Sequence, residues 1–260
     1  TARRGNLTSS IGMLIAVIVT LLNRDVNDGN SLSFGLIAVG LLIGAGIGVF
    51  AAKKVQMTGM PELVALFNGF GGLASLLVGW AEFAKEGNFN NSEYPVFTAV
   101  AVVFAVLVGG ITFTGSLIAY LKLSGKLGGA ATVFPGQKVL NAAVFLTLLG
   151  FGVVFVVTGA AWALYLVIAL SLLLGVLGVI PIGGGDMPVV ISFLNSFSGI
   201  AASAAGFVIL NNVLIVAGCL VGASGIILTV IMCKAMNRTL ADVLFGGFGS
   251  SSSTSQEVEG

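Results

Sequence analysis

The sequence predicts an all-α bundle of about eight transmembrane helices, with both termini on the cytoplasmic or matrix side of the membrane. Of its 260 residues, 57% are hydrophobic and only 8% are charged, whereas a soluble domain carries roughly 25% charged residues. Long apolar runs recur along the whole chain, and none alternates polar and apolar residues as the strands of a β-barrel do. These observations predict a polytopic membrane protein in a lipid bilayer, and we expect no nucleic-acid partner.

Each predicted helix is an apolar run bounded by turn-forming residues, and each run is close to the 20 or so residues that cross a bilayer. In chain order, the separating segments are NRDVNDGN, KKVQMTG, KEGNFNNSEYP, KLSGKLGGAATVFPGQ, TGA, PIGGGD and NN. The predicted spans are 9–22, 32–52, 61–84, 96–121, 138–157, 160–181, 187–210 and 213–236. We expect one membrane domain over residues 1–245, followed by a Gly-, Ser- and acid-rich linker over 246–260.

The distribution of basic residues predicts how the bundle is oriented. Eight spans place both termini on one side, and nine of the eleven basic residues then fall on that side, with only Arg24 and Lys85 on the other. Basic residues favour the cytoplasmic side. The termini and the Gly183–Asp186 turn are therefore expected to face the cytoplasm of a bacterium, or the matrix if the membrane is mitochondrial.

Several kinds of chemistry find little support in the sequence. The chain has no histidine, the commonest general base and metal ligand, and it shows no metal-ligand cluster. Cys219 and Cys233 lie in one predicted helix, about 21 Å apart along its axis, so they are too far apart to form a disulfide. The GFGGLA segment from Gly69 matches a dinucleotide-binding pattern, but it lies inside an apolar span, so we interpret it as helix packing.

Two helices carry the same polar pattern. MPELVALFNGFGG begins at Met60 and MPVVISFLNSFSG begins at Met187, and the two share Met, Pro, Asn, Phe and Gly at the same offsets. Asn68 and Asn195 therefore both lie about 10 Å beyond their prolines, at similar depth in the membrane. Hydrogen bonding between helices would explain one asparagine, but two at matched depth favour a functional role.

An acid stands at the start of each of these helices. Asp186 precedes Met187, where it is suited either to cap the helix or to relay protons or cations at the membrane surface. Glu62 falls in the first turn of the other helix, where the helix dipole favours an anion. Capping and dipole stabilisation remain alternatives to a functional role for both residues.

Further polar groups accompany this pattern. Ser192, Asn195 and Ser196 share one stripe with Gly199 and Ser203, which we expect to face the interior of the bundle. On neighbouring helices the candidates are Ser116, one turn after Thr112, and Ser224 with Gly225, which we interpret as a break in the eighth helix. Lys234 and Arg238 end that helix, either as an orientation signal or as a docking site for a soluble domain.

These segments resemble a known family. GGGDMPVVISFLNSFSGIAASAAGF, VGASG, MCKAMNRTLADVLFGGFG and AKKVQMTGMPELVALFNGF closely resemble the membrane part of the β subunit of proton-translocating nicotinamide nucleotide transhydrogenase, over nearly the whole chain. The resemblance implies a part of an enzyme that couples inward proton movement to hydride transfer from NADH to NADP+. It implies that this chain conducts protons and binds no cofactor itself.

The resemblance also implies partners. NAD(H) is expected on a domain of the α subunit, and NADP(H) on a domain that follows residue 260. Transmembrane helices of the α subunit would complete each protomer, the complex would be a homodimer, and the β membrane part would begin one helix before residue 1. The membrane would be the bacterial cytoplasmic (inner) membrane, or the mitochondrial inner membrane in a eukaryote.

Roles carry over to four matching positions and one pair, and the chain departs from the family at a fifth position. Asp186 matches the family's acid at the inner helix end, Asn195 its functional asparagine, and Ser116 and Gly225 match positions tied to coupling. Lys234 and Arg238 match the basic pair that faces the NADP(H) domain. At Asn68 many family members have the histidine that is their leading proton carrier. Because an amide cannot titrate, we expect Asn68 to orient water and a partner helix to supply the titrating group.

Two other classes of function remain open. A small secondary transporter would also carry matched motifs on two helices and polar groups inside the membrane. However, transporter repeats are often inverted, whereas the two matched helices are predicted to run in the same direction. A purely structural anchor for a soluble domain fits the helix-packing interpretations but gives no role to the two acids at the helix entrances.

Overall fold

The computed structural model describes residues 2–22, 31–86 and 95–245, and in this part of the chain every regular element is helical. The α-helices are α1 (Ala2–Leu22), α2 (Ser31–Lys54), α3 (Met60–Glu86), α4 (Pro95–Leu123), α5 (Gln137–Thr158), α6 (Ala161–Val179), α7 (Met187–Val208), α8 (Asn212–Ala235) and α9 (Leu240–Phe245). Short 3₁₀ turns, Met57–Gly59 and Gly184–Asp186, lead directly into α3 and α7.

Eight of the described helices, α1 to α8, are long and apolar enough to cross a membrane, which confirms the predicted all-α polytopic bundle. The first helix begins at Ala2 rather than near residue 9, because its first two turns continue through polar residues. The predicted break in the eighth helix is wrong, since α8 is one continuous helix through Ser224 and Gly225. Arg24 and the expected linker over 246–260 lie outside the described residues.

The chain divides into two compact units, Thr1–Val55 and Gln56–Gly260. The first contains α1 and α2, whose described side chains are largely exposed. Gly40, Gly44 and Gly48 repeat at four-residue spacing on α2, yet no atom of the described chain lies within 4 Å of a Cβ atom built on any of them. These glycines therefore make no close helix contact within the described part of this unit, although such spacing often marks one.

In the second unit, α4 is the central helix and contacts α3, α5, α6 and α7. Its pairing with α3 relies on small residues: a Cβ atom built on Gly72 would lie 2.8 Å from the Gly109 carbonyl oxygen, and one on Gly69 would lie 3.2 Å from Ser116 Cβ. The glycines of the GFGGLA segment thus let two backbones approach closely. The helix-packing interpretation of this segment is confirmed.

Helix α7 packs against three helices, α3, α4 and α8. The Phe207 ring, at the end of α7, meets the Phe97 ring, at the start of α4, with centroids 5.7 Å apart. Near the opposite ends of these helices, a Cβ atom on Gly115 would lie 3.2 Å from Leu194 Cδ2. Helix α7 therefore runs antiparallel to α4, as α3 does, so α3 and α7 run in the same direction.

The N-termini of α3 and α7 lie at one end of this unit, together with the C-terminus of α4 and the α8–α9 turn. We call this the basic end and define it by Lys122, Asp186 and Arg238. Of the described basic residues in the second unit, Lys85 alone is at the other end, at the end of α3. The candidate site lies between the basic end and the middle of the bundle.

Candidate functional site

Asn68 is held on α3 by a contact with α4. Its Nδ2 atom donates a hydrogen bond to Ser116 Oγ, at 2.9 Å. Ser116 is 1% exposed, so this amide–hydroxyl pair is a buried polar contact between the two helices. An unpaired polar group would be costly inside a bilayer, so the bond stabilises both side chains where they are.

Asn195 lies at the level of that pair on the neighbouring helix. Leu194, which precedes it, packs on Gly115, and Gly115 precedes Ser116, the partner of Asn68. The structure therefore brings the two asparagines to the same depth around α4. Asn195 is half-buried, and its side-chain amide forms no hydrogen bond with the described residues. It is thus a polar group free to bind another molecule.

The residues of the predicted polar stripe of α7 do not all face the same neighbouring helix. Ser192, Ser196 and Gly199 pack against α8, and a Cβ atom on Gly199 would lie 2.4 Å from the Gly222 nitrogen. At 100° per residue, Asn195 is rotated away from this face toward the side between α8 and α4. The serines are therefore groups of a helix–helix interface, and Asn195 stands apart from them.

A small hydrogen-bond network joins α7 and α8. Thr229 Oγ1 donates to the Ser192 hydroxyl at 3.1 Å or to the Gly225 carbonyl at 2.7 Å, and Ser192 Oγ lies 3.4 Å from the same carbonyl. Gly225 is needed here because a Cβ atom would lie 2.8 Å from the backbone nitrogen of Ser196. Sequence reasoning missed Thr229, which is fully buried, because its partner lies 37 positions away.

Ser224 is not part of this arrangement. Its side chain is exposed on the outer face of α8, and its hydroxyl donates to the Val221 carbonyl of the same helix at 2.9 Å. A serine hydroxyl inside a helix commonly satisfies itself in this way. Within the described chain, the Ser224 side chain forms no hydrogen bond with the other candidate residues.

Asp186 and Arg238 form an ion pair at the basic end, with Arg238 Nη1 2.6 Å from Asp186 Oδ2. Asp186 occupies the N-cap position of α7, but its side chain forms no capping hydrogen bond. The carboxylate is therefore committed to Arg238 rather than to the helix. The capping alternative for the Asp186 side chain is therefore wrong.

The end of α8 explains how Arg238 reaches Asp186. Asn237 adopts a left-handed conformation with φ of 54°, and the Arg238 N–H donates to the Cys233 carbonyl at 2.9 Å. Together with the bond from the Asn237 N–H to the Lys234 carbonyl, this is a Schellman motif, which reverses the chain at a helix end. The turn separates Arg238 from Lys234, whose side chain is exposed.

Glu62 lies in the first turn of α3, as predicted, and is half-buried. It forms no ion pair within the described residues, whereas Asp186 does. The two entrance acids, matched in sequence, therefore differ in their surroundings.

Lys122 is a residue whose contacts sequence reasoning missed, because it was counted only as one of the charges that orient the bundle. Its side chain is 3% exposed, and its ammonium group donates to the carbonyl oxygens of Ala130, Ile180 and Ile182 at 3.2, 2.5 and 2.7 Å. Its acceptors are backbone atoms of two loops, so no side-chain pattern in the sequence indicates them.

The described residues include no group of three or more His, Cys, Asp or Glu side chains that could hold a metal ion. What the site does contain is amides, hydroxyls and one ion pair, arranged from the middle of the bundle to the basic end. Such groups can bind and orient water.

Comparison with known proteins identifies the family. The family profile described as NAD(P) transhydrogenase beta subunit matches residues 1–260. The chain is 42% identical over 257 residues to the NAD(P) transhydrogenase subunit beta of Rhodospirillum rubrum, and equally to the protein of that name from a defined strain of the species. Each alignment covers 96% of this chain and 53% of the relative, so the chain spans about half the length of the curated relatives that it matches. The resemblance inferred from the sequence motifs is confirmed, and the chain belongs to the NAD(P) transhydrogenase beta subunit family.

Proposed function

We propose that this chain is the proton-conducting membrane domain of a NAD(P) transhydrogenase. In this function, protons move inward through the bundle while hydride passes from NADH to NADP+ on nucleotide-binding domains outside residues 1–260. The observation that carries the proposal is the pair of asparagines at one level around α4, with Asn68 bonded to Ser116 and Asn195 unbonded.

The proposed path has two parts. Protons reach water held by Asn68 and Asn195 in the middle of the bundle and leave past Asp186 at the basic end. Asn68 orients water without titrating, and an ionisable group on a helix of the α subunit supplies the titration. A partner helix with no ionisable residue within water-bridging reach of Asn68 would contradict this part of the proposal.

The ion pair between Asp186 and Arg238 connects the path to the soluble part of the enzyme. Arg238 lies two residues before the start of α9, and α9 leads toward the proposed linker over 246–260 and the NADP(H) domain that follows it. Lys234 and Arg238 form the docking surface for that domain. A change in the docked domain alters the Asp186–Arg238 contact, and so alters access to the path from the basic end.

The basic end faces the cytoplasm or the matrix, in the bacterial cytoplasmic or the mitochondrial inner membrane, because basic residues concentrate there. A single cysteine at Lys126 should react with a membrane-impermeant maleimide from that side only, and one at Lys85 from the other side only. The opposite labelling pattern would reverse the proposed orientation.

The complete enzyme, containing this chain with its α subunit and both nucleotide domains, tests the function in proteoliposomes. Addition of NADH and NADP+ should form NADPH and move protons toward the side of the basic end, and a protonophore should abolish the proton gradient. Hydride transfer without proton movement would support a structural anchor instead. Proton-coupled transport of a solute without hydride transfer would support a secondary transporter.

A further inference from the structure

Lys122 forms a contact that the proposed proton path does not use. It lies in the last turn of α4 and is the one Lys, Arg, Asp or Glu side chain among the described residues that is almost fully buried. It forms no ion pair there. A buried cation without an anion is costly, so the groups around it must compensate for the lost water.

Backbone carbonyls provide that compensation. A lysine ammonium group has three N–H donors, and the three carbonyls of Ala130, Ile180 and Ile182 match that number. Ile180 is the C-cap of α6, where the helix dipole places partial negative charge. The three carbonyls therefore satisfy all the donors of the ammonium group and hold it in one position.

The three carbonyls belong to two different loops. Ala130 lies in the α4–α5 loop, and Ile180 and Ile182 lie in the α6–α7 turn, so Lys122 joins both loops to the end of α4. The same loops are bonded to each other nearby, because the Gly184 N–H donates to the Gly129 carbonyl at 2.8 Å. The turn held in this way continues directly into Asp186.

We infer that Lys122 is a positioning residue for the basic end of the path: its buried ammonium group holds the α6–α7 turn in place, and so sets the position at which Asp186 meets Arg238. This inference rests on the proposed proton-conducting function. It predicts that loss of Lys122 releases the turn and uncouples proton movement from hydride transfer, although Lys122 touches neither Asp186 nor Arg238.

Three variants of the complete enzyme test the inference. Lys122→Met removes the charge and all donors but keeps an unbranched side chain, and Lys122→Arg restores charge and donors. Lys126→Met is the matched control, because Lys126 is an exposed lysine four positions later whose ammonium group lies over the Tyr120 ring.

Hydrogen exchange reports the position of the turn directly. In Lys122→Met, amides in 129–132 and 180–186 should exchange roughly ten- to a hundredfold faster, as expected for the loss of hydrogen bonds from a charged donor. Amides at the α3–α4 interface should keep their rates. Lys122→Arg should restore slow exchange at least in part, and Lys126→Met should match the native protein.

The number of protons moved per hydride transferred distinguishes positioning from mere stability. A variant that only folds less well lowers both rates together and leaves this ratio unchanged, whereas Lys122→Met should lower it several-fold and Lys122→Arg should restore it. If the native enzyme pumps protons but Lys122→Met changes neither this ratio nor the exchange rates, or only one of them, the inference about Lys122 is wrong and the proposed function is unaffected. A native enzyme that moves no protons would overturn the proposed function instead.

Discussion

At the scale of single residues, the contacts of the candidate site join positions far apart in sequence. Asn68 bonds Ser116, Asp186 pairs with Arg238, and Lys122 reaches Ile182. The motif shared by the helices that begin at Met60 and Met187 predicted that Asn68 and Asn195 lie at matched depth, because equal numbers of residues along an α-helix span equal distances. The partners of these residues could not be predicted, since they depend on which helices pack together.

The amide at Asn68 offers a test of the proposed role of this position. In Asn68→His, coupled turnover should be retained and should acquire a titration between about pH 5 and 8, because an imidazole has a pKa near 6.5. Asn68→Leu, which cannot bind water, should lower turnover throughout that range. The pH profile of coupled turnover is the measurement, and identical profiles for the native protein and Asn68→His would contradict a place for this residue on the path.

The Asp186–Arg238 pair should matter more for coupling than for stability. Arg238 is 49% exposed in its side chain, and pairs of this kind contribute roughly 0–1 kcal/mol. Asp186→Asn and Arg238→Gln should each lower the ratio of protons to hydride with little change in thermal stability. The double variant Asp186→Arg with Arg238→Asp, which exchanges the two charges, should restore part of the ratio of protons to hydride. If the losses of the two single variants simply add in the double variant, the two residues do not act as a pair.

At the scale of helices, hydropathy predicted the elements well because a bilayer leaves few alternatives to a long apolar helix. The short helix α9 was not predicted. Its order depends on the burial of Val243, which is 1% exposed, against other parts of the basic end. The expected break at Ser224 was wrong because a glycine beside a serine weakens a helix only where packing does not hold it, and Gly225 packs closely on Ser196.

Backbone contact between α7 and α8 predicts the effect of adding one methyl group. In Gly199→Ala, the new Cβ atom would meet Gly222 and Gly218 backbone atoms at 2.4 and 2.9 Å, and overpacking of this kind costs about 1–3 kcal/mol. Gly150→Ala on α5 is the control, because no atom lies within 4 Å of its Cβ position. Thermal denaturation of the purified protein should show a lower midpoint for the first variant only. Equal midpoints would mean that α7 and α8 are less tightly packed than described.

Helix α9 should loosen in acid. The Thr239 hydroxyl and N–H groups donate to the Asp242 carboxylate and hold its pKa below the ordinary value of 3.8, while the Asp242 N–H donates to the Thr239 hydroxyl. Because the pKa of the folded state is lowered, this contribution to stability is complete above the ordinary value and is lost as the pH falls through the lowered one.

A spin label on Ala241→Cys, in a Cys219→Ser background, measures this loosening. Its mobility should be low near neutral pH and rise only below about pH 4. In Thr239→Val, which lacks the hydroxyl, the label should already be more mobile near neutral pH. A label equally immobile under acidic and neutral conditions would show that this cap does not order α9.

At the scale of the second unit, α3 and α7 run in the same direction, and both pack against α4 and against each other. The inverted repeats of many transporters pair helices of opposite direction, so the observed arrangement does not match that pattern. The matched motifs predicted this relation from the sequence alone. The basic end could not be predicted as a connected structure, because α4, two loops and the α8–α9 turn are joined there by hydrogen bonds to backbone carbonyls and by one ion pair between positions far apart in sequence.

The central claim is that protons cross the bundle at the level of the two asparagines, and one measurement tests it most directly. Proton movement and NADPH formation are recorded in the same proteoliposomes for the complete enzyme with Asn195→Leu, and with Asn141→Leu as the control. Asn141 is a half-buried asparagine on α5 that donates to Leu177 and lies outside the α3–α4–α7 contact. We expect Asn195→Leu to lower the protons moved per hydride, because it removes an amide that holds water on the path, and Asn141→Leu to leave this ratio at the native value. A native ratio in Asn195→Leu, or an equal loss in both variants, would contradict the claim.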